Sequence, residues 1–239
     1  MKKDKKVIII IPAYNEEGNI LKTYNSIIEY NKKNNTNYDL IVINDGSTDN
    51  TLSVLVKNKI PHINLIRNLG IGGAVQTGYI YALENDYEIA VQFDGDGQHN
   101  ASYIEKIIKP IISKNADMVI GSRFIEDLNT FKSSRMRRIG INLISIFIKL
   151  ITGKKIYDTT SGMRAVNKKI IKEFANSYPV EYPEPITTTE LLKKGYKVKE
   201  LQVEMNERLN GESSIKSWKN IYYMINVILS ILVTGLRGK

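Results

Sequence analysis

Short runs of apolar, mostly β-branched residues alternate along the first half of the chain with longer stretches whose apolar positions recur every three or four residues. That alternation predicts βαβ units and an α/β fold with a mainly parallel sheet. VIIII (residues 7–11) is continuous rather than alternating, as a strand buried on both faces should be. A helix is predicted over 17–31, a strand at DLIVIN (39–44), and a helix over 48–58 with Ser47 or Thr48 as its N-cap. INLIR (63–67) reads as the third strand, and the glycines of NLGIGGAVQTGY open a helix toward Asn85. EIAVQF (88–93) and DMVIGS (117–122) complete the strands of this half. Later, TSGMRAVNK (160–168) predicts a turn and short strand, EYPEPITTTELLKKGY (181–196) a helix ending near Gly195, and KVKELQVEM (197–205) another strand.

Polar residues punctuate the ends of these strands: PAYNEE after the first, NDGSTD after the second, DGDGQ after the fourth and GSR after the fifth. Ligands of open α/β sheets bind beyond the carboxyl ends of the strands, so four loops are expected to converge on one rim.

Two further stretches, 139–152 and 221–236, are apolar with a narrow polar stripe: Asn142, Ser145, Lys149 and Thr152 in one, Asn226, Ser230 and Thr234 in the other. Sixteen helical residues span about 24 Å, short of the roughly 30 Å hydrocarbon core. The expectation is a pair of helices lying on a membrane surface, with no span. Arg135, Arg137 and Arg138 before the first stretch, and Lys216 and Lys219 before the second, would face anionic lipid.

The 239 residues are long enough for one substantial core. We divide them into a main domain over 1–215 and a C-terminal amphipathic, membrane-associating helix over 216–239. The absence of cysteine excludes disulfides and thiolate metal sites and fits a reducing compartment. The lysine-flanked N-terminal apolar run breaks at Pro12, so it reads as a strand rather than a leader. A net charge of +9 fits anionic membrane, phosphorylated substrates, nucleic acid or lysine-rich solubility. No aromatic-rich motif or zinc module supports nucleic acid, so no such partner is expected.

VQFDGDGQHN (91–100) carries the chemistry. In an extended segment Asp94 and Asp96 would share a face with only Gly95 between them. Paired carboxylates repel unless a cation or a shared proton compensates them. A hard cation, Mg²⁺ or Mn²⁺, held with substrate phosphates fits best; a shared-proton dyad and a solvated Asp-Gly turn are the alternatives. Asp45 is either an acceptor for a base or ribose or a turn residue capping the next helix, and Glu16 either a ligand contact or a first-turn helix acid. GIGG lacks both dinucleotide and Walker spacing. His62 and His99 stand isolated, so a histidine-based mechanism is not expected.

IPAYNEEGNI, VINDGSTDNT, NLGIGGAVQTGY, FDGDGQH, GSRF, TSGMRA and ERLNGESSI, in that order, resemble glycosyltransferase family 2 proteins of the GT-A fold, particularly the dolichyl- or polyprenyl-phosphate sugar transferases. The resemblance covers about residues 7–216. It implies a Rossmann-like sheet flanked by helices and a metal-dependent enzyme that inverts the anomeric centre of a UDP- or GDP-sugar. Pro12, Ala13, Tyr14 and Glu16 match the first nucleotide loop, and Ile43 and Asp45 the second. Asp94, Gly95 and Asp96 match the element that holds metal and diphosphate, with Gln98 close by. Arg123 and Arg208 match arginines near donor phosphates. Where the dolichol enzymes carry a lysine after the GES-like turn this chain has Ser214, so that contact is missing or comes from Lys216. Glu184 lies where family members place an acid before the acceptor-side helix, and reads as a general base or a helix-start acid. Arg135 and Arg138 are candidates for an acceptor phosphate.

The expected acceptor is a polyprenyl phosphate or other lipid-linked group, reached by peripheral contact on the cytoplasmic face of a membrane; homo-oligomers are compatible with this. A soluble family 2 transferase acting on a saccharide or protein hydroxyl is the alternative, and a non-catalytic nucleotide-sugar-binding protein a third.

Overall fold

The computed structural model of the chain describes residues 6–125, 135–206 and 217–236; the side chains of 135–137 and 217–223 lie outside the description. Its strands are β1 (Val7–Ala13), β2 (Asp39–Asn44), β3 (His62–Asn64), β4 (Ile89–Gln92), β5 (Met118–Ser122), β6 (Arg164–Asn167) and β7 (Val198–Gln202). They form one sheet in the order β3-β2-β1-β4-β6-β5-β7, parallel except where β6 runs against β4 and β5. The helices are α1 (Ile20–Asn34), α2 (Thr51–Lys57), α3 (Gly70–Glu84), α4 (Ile104–Ile112), α5 (Arg135–Thr152), α6 (Lys168–Asn176), α7 (Pro183–Lys193) and α8 (Ser217–Leu236).

The continuous apolar run of β1 is explained by the helices on both sides of it. Ile8 and Ile10 join a core with α3, α5, α6, α7 and α8; Val7, Ile9 and Ile11 join another with α1, α2 and α4. Burying an aliphatic side chain contributes about 1.5–3 kcal/mol, so this one strand anchors both layers.

Several expectations shift at their ends. α1 starts at Ile20 rather than 17, because Asn15 takes a left-handed φ of 56° and the Glu16 carbonyl accepts from the N–H groups of Asn19 and Ile20. Neither Ser47 nor Thr48 caps α2; Asp49 Oδ1 accepts from the Thr51 N–H at 2.9 Å. The predicted 63–67 strand shortens to β3, and Ile66 beyond it is fully exposed. α4 and α6 have no counterpart among the predicted elements.

The polar stripes do not lie in one environment: Asn142 and Lys149 of α5 are exposed, whereas other members turn inward. Ser145 is buried and donates to the Ile156 carbonyl, and Thr234 is buried against α7. Ile139, Ile146 and Leu150 on α5, and Ile225, Leu229, Val233 and Leu236 on α8, are exposed. Apolar side chains therefore point outward as well as inward. At 1.5 Å per residue the 20 residues of α8 reach about 30 Å, so the length argument from 221–236 fails. Composition decides instead: among the described residues no helix is long and apolar enough to cross a membrane.

Candidate active site

The first two rim loops are tied together before any ligand arrives. Asn15 Oδ1 accepts from the Thr48 N–H at 2.8 Å, the Glu16 N–H donates to Thr51 Oγ1 at 2.9 Å, and the Glu17 N–H donates to Asp49. Glu16 itself accepts from the Asn19 amide at 2.7 Å, and Tyr14 stands exposed above it. Pro12, Ala13 and Ile43 belong to the strands below, and the Ile43 side chain is wholly buried in the core. Asp45, almost fully buried, does not cap the next helix. Its Oδ1 accepts from the Leu69 N–H at 2.7 Å, at the start of α3. Burial raises its pKa, only partly opposed by the Leu69 and Gly70 N–H groups. Gly46 makes that approach possible: at φ +63° it lies so close to Arg67 and Asn68 that a Cβ would sit 2.5 Å from backbone.

Asp94 and Asp96 do not share an extended segment. β4 ends at Gln92, and the chain turns through Gly95 and Asp96 to Gly97 at φ +78°. Asp96 Oδ1 turns back to accept from the Gln98 N–H at 3.0 Å. Gly95 packs under Pro12, where a Cβ would lie 2.9 Å from its carbonyl oxygen. Asp94 keeps 32% of its side chain exposed and is held by His99, whose Nε2 lies 3.0 Å from Oδ2. An ionised carboxylate only accepts, so that nitrogen carries the proton. The histidine that looked isolated in sequence is thus part of the site. Burial pushes the Asp94 pKa up, but the bond and charge of His99, then Gln92 and the charge of Arg123, outweigh it and hold it below the ordinary value. Gly162 lies directly against this carboxylate: a Cβ there would be 2.3 Å from Oδ2.

Glu184 enters from α7, one residue after Pro183 starts the helix and after Tyr182 takes a left-handed φ of 51°. Desolvation raises its pKa; Arg164 opposes that shift and Asp94 adds to it. Between the two carboxylates lies Gln92, fully buried, its amide near both but aligned with neither. Arg123, 7% exposed, is committed to a neighbour. Nε and Nη2 donate to Asp158 at 2.6 and 2.7 Å, and Nη2 also to Thr160 at 3.0 Å. Burial penalises both charges, yet their attraction holds Asp158 below and Arg123 above its usual range. Glu200 fixes this clamp by accepting from the Tyr157 and Asp158 N–H groups, each at 2.8 Å.

The chain leaves β7 beside the aspartates: His99 pairs with Met205, and the Asn206 N–H donates to the Gln98 carbonyl at 2.7 Å. Arg208 lies outside the described residues, as does the side chain of Arg135 at the start of α5. Gln92, His99, Asp158, Gly162 and Arg164 were not singled out from the sequence. For Gln92 a signal existed, a polar residue inside an otherwise apolar strand.

This architecture and rim define a glycosyltransferase: the chain belongs to glycosyl transferase family 2, whose model matches residues 8–174. It is 36% identical over 188 residues to the UDP-N-acetylglucosamine–dolichyl-phosphate N-acetylglucosaminyltransferase of Methanococcus voltae, covering 71% of this chain and 72% of that one. With the undecaprenyl-phosphate mannosyltransferase of Micrococcus luteus it shares 24% identity over 248 residues, covering 98% of each. Among solved structures, glucosyl-3-phosphoglycerate synthase from Mycobacterium tuberculosis in complex with Mn²⁺ and UDP-glucose superposes with a TM-score of 0.69 at 16% identity, over 99% of this chain and 81% of that one. The fold is therefore of the expected GT-A type.

Proposed function

We propose that this glycosyltransferase moves a sugar, with inversion, from a nucleotide-sugar donor to a polyprenyl-phosphate acceptor at a membrane surface, using Mg²⁺ or Mn²⁺. The observation that carries the chemistry is Asp94: a carboxylate one-third exposed at the rim, oriented by a buried histidine and kept ionised. Among the described residues no three His, Cys, Asp or Glu side chains gather around a point. Asp94 and Asp96 completed by diphosphate oxygens are a donor set these residues fit, since Mg²⁺ is commonly held by one or two carboxylates plus substrate phosphates. Held there, such an ion would supply positive charge against a departing diphosphate. His99 fixes the Asp94 carboxylate, and the pinned loops at Asn15–Glu16 and Asp45 frame the nucleoside side. Arg138 reaches toward the rim, its guanidinium 5.7 Å from the Phe124 ring beside Arg123.

The acceptor reading is supported by the named activities of the two relatives and by the outward apolar side chains of α5 and α8, with residues 216–239 as the membrane-associating segment. A lipid phosphate is already anionic and needs positioning, which Arg135 and Arg138 would supply. The partly buried Glu184, its pKa raised by desolvation, favours a second reading in which a hydroxyl acceptor loses its proton to a base. Turnover of UDP- and GDP-sugars with a polyprenyl phosphate or a free saccharide, with Mn²⁺ or EDTA, tests the proposal. Lipid-phosphate transfer should depend on metal and vanish in Asp94→Asn and Asp96→Asn; activity of either variant in EDTA would refute the metal role. Glu184→Gln losing roughly two to four orders of magnitude beside a near-normal Arg135→Ala would select the hydroxyl acceptor instead.

A further inference from the structure

We propose that Arg164 is a positioning residue for Glu184: a buried guanidinium that grips the first turn of α7 and supplies the positive charge facing its carboxylate. The inference rests on the reading of Glu184 as a working part of the site.

Arg164 opens β6 and is 1% exposed. Arginine is almost never fully buried without a partner charge. Here none of its hydrogen bonds goes to a carboxylate. Nε donates to the Ser161 carbonyl at 2.8 Å, and Nη1 donates to the Glu184 carbonyl at 3.0 Å and to Thr187 and Thr188 Oγ1 at 3.2 Å each. The Thr188 hydroxyl donates onward to the Glu184 carbonyl at 2.7 Å, and the Thr187 hydroxyl to the Pro183 carbonyl at 2.6 Å. One guanidinium nitrogen thus fixes the backbone of the residue whose side chain enters the site. The remaining nitrogen, Nη2, is buried without a hydrogen-bond partner.

The sheet dictates this placement. β6 runs against its neighbours, so its first residue lies where β4 ends, and Arg164 stands opposite Gln92 in the ladder. Gln92 faces both Glu184 and Asp94, and the buried hydroxyls of Tyr79 and Tyr178 sense Arg164 and Glu184 in turn. Among the described residues Arg123 is the other buried cation within electrostatic range of Glu184, but its Nε and Nη2 are spent on Asp158. Arg164 is left as the counter-charge. A lysine could supply the charge but not the fork that holds the Ser161 carbonyl through Nε and the first turn of α7 through Nη1 at once.

A double-mutant cycle tests this without substrate or metal, using urea unfolding of wild type, Arg164→Met, Glu184→Gln and the double variant. Interacting pairs couple well beyond additivity. Glu184→Gln should raise the folding equilibrium constant at least about tenfold more in the Arg164→Met background than in wild type. Additive effects would overturn the proposal and leave Arg164 as a cap alone. Arg164→Met failing to fold while the double variant folds counts as coupling.

Should neither fold, Arg164→Lys decides. It should bind a UDP-sugar in thermal-shift titration as wild type does, yet turn over roughly ten- to a hundredfold more slowly, the loss expected when a reacting group is misplaced. Wild-type turnover by folded Arg164→Lys would overturn the proposal. If wild type itself transfers no sugar, the functional reading falls while the unfolding cycle still reports on Arg164 and Glu184.

Discussion

Adding one methyl group at Gly162 should disable the enzyme while sparing the fold. The backbone there is outside the left-handed region, so alanine meets no conformational barrier. Its Cβ would instead lie 2.3 Å from Oδ2, 2.5 Å from Oδ1 and 2.7 Å from Cγ of Asp94. Restoring van der Waals contact requires the carboxylate to retreat by about 1 Å, enough to break its 3.0 Å hydrogen bond to His99. For the fold this is tolerable: a displaced Asp rotamer costs about 0.5–1.5 kcal/mol and the lost bond to buried His99 about 1–3 kcal/mol more, together a fall in Tm of roughly 3–18 °C for a domain of this size. For the chemistry it is not, since a misplacement of about 1 Å can cost about a hundredfold in rate. Gly162→Ala should therefore remain folded with a lowered Tm, turn over donor about a hundredfold more slowly, and need more Mn²⁺ for half-maximal activity. Near-wild-type turnover at the same Mn²⁺ concentration would refute the placement of Asp94 at the reacting centre.

Two further outcomes follow from the same geometry. Asp158→Asn leaves Arg123 buried without this counter-charge, both side chains being no more than 4% exposed, and should cost about 3–5 kcal/mol in urea unfolding; a loss under about 1 kcal/mol would show that Arg123 finds another partner. Wild type should sediment with anionic vesicles at low salt and be released by charge reversal at Arg135, Arg137 and Arg138; a wild type that ignores vesicles would assign the outward apolar residues of α5 and α8 to some other contact.

The parallel half of the sheet was legible because each strand there is a buried apolar run that stops at polar residues, and both signals are local. The aspartates, Asp45 and the loop at Tyr14 and Glu16 could be placed at one rim for that reason. α4 was missed although Ile104, Ile107, Ile108 and Ile111 keep helical spacing, because Pro110 lies inside it. The environment of Asp94 was not legible. Gly162 reaches it, and Arg164 comes to lie opposite Gln92, only because β6 is antiparallel, so that the loop before it meets the end of β4. Nothing local in TSGMRA announces strand direction. The stripes on α5 and α8 misled in a related way: polar positions at helical spacing mark a face, but not whether that face meets water, the core or a neighbouring helix.

Conflict between stability and function is concentrated at this rim. Among the described residues the buried side-chain polar atoms without a partner belong to Tyr79, Gln92, His99, Thr159, Arg164 and Tyr178. His99 bonds Asp94, Thr159 adjoins Asp158, and the other four surround Glu184. Each such atom costs about 1–3 kcal/mol, and such violations of local consistency are expected where function requires them. Glu184 gives the conflict a measurable sign. Burial raises its pKa above the ordinary 4.5, with Arg164 opposing the shift and Asp94 adding to it. A carboxyl whose folded pKa is raised contributes stability below its unfolded pKa and loses it as pH rises through the folded value. At neutral pH the ionised side chain therefore burdens the fold. Glu184→Gln should melt above wild type at pH 7, and the difference should fade as the pH is brought below about 4.5, where both states of the wild-type residue are neutral. Equal melting temperatures at pH 7, or a difference unchanged by acid, would show that Arg164 compensates the carboxylate completely and that the site stores no electrostatic strain there.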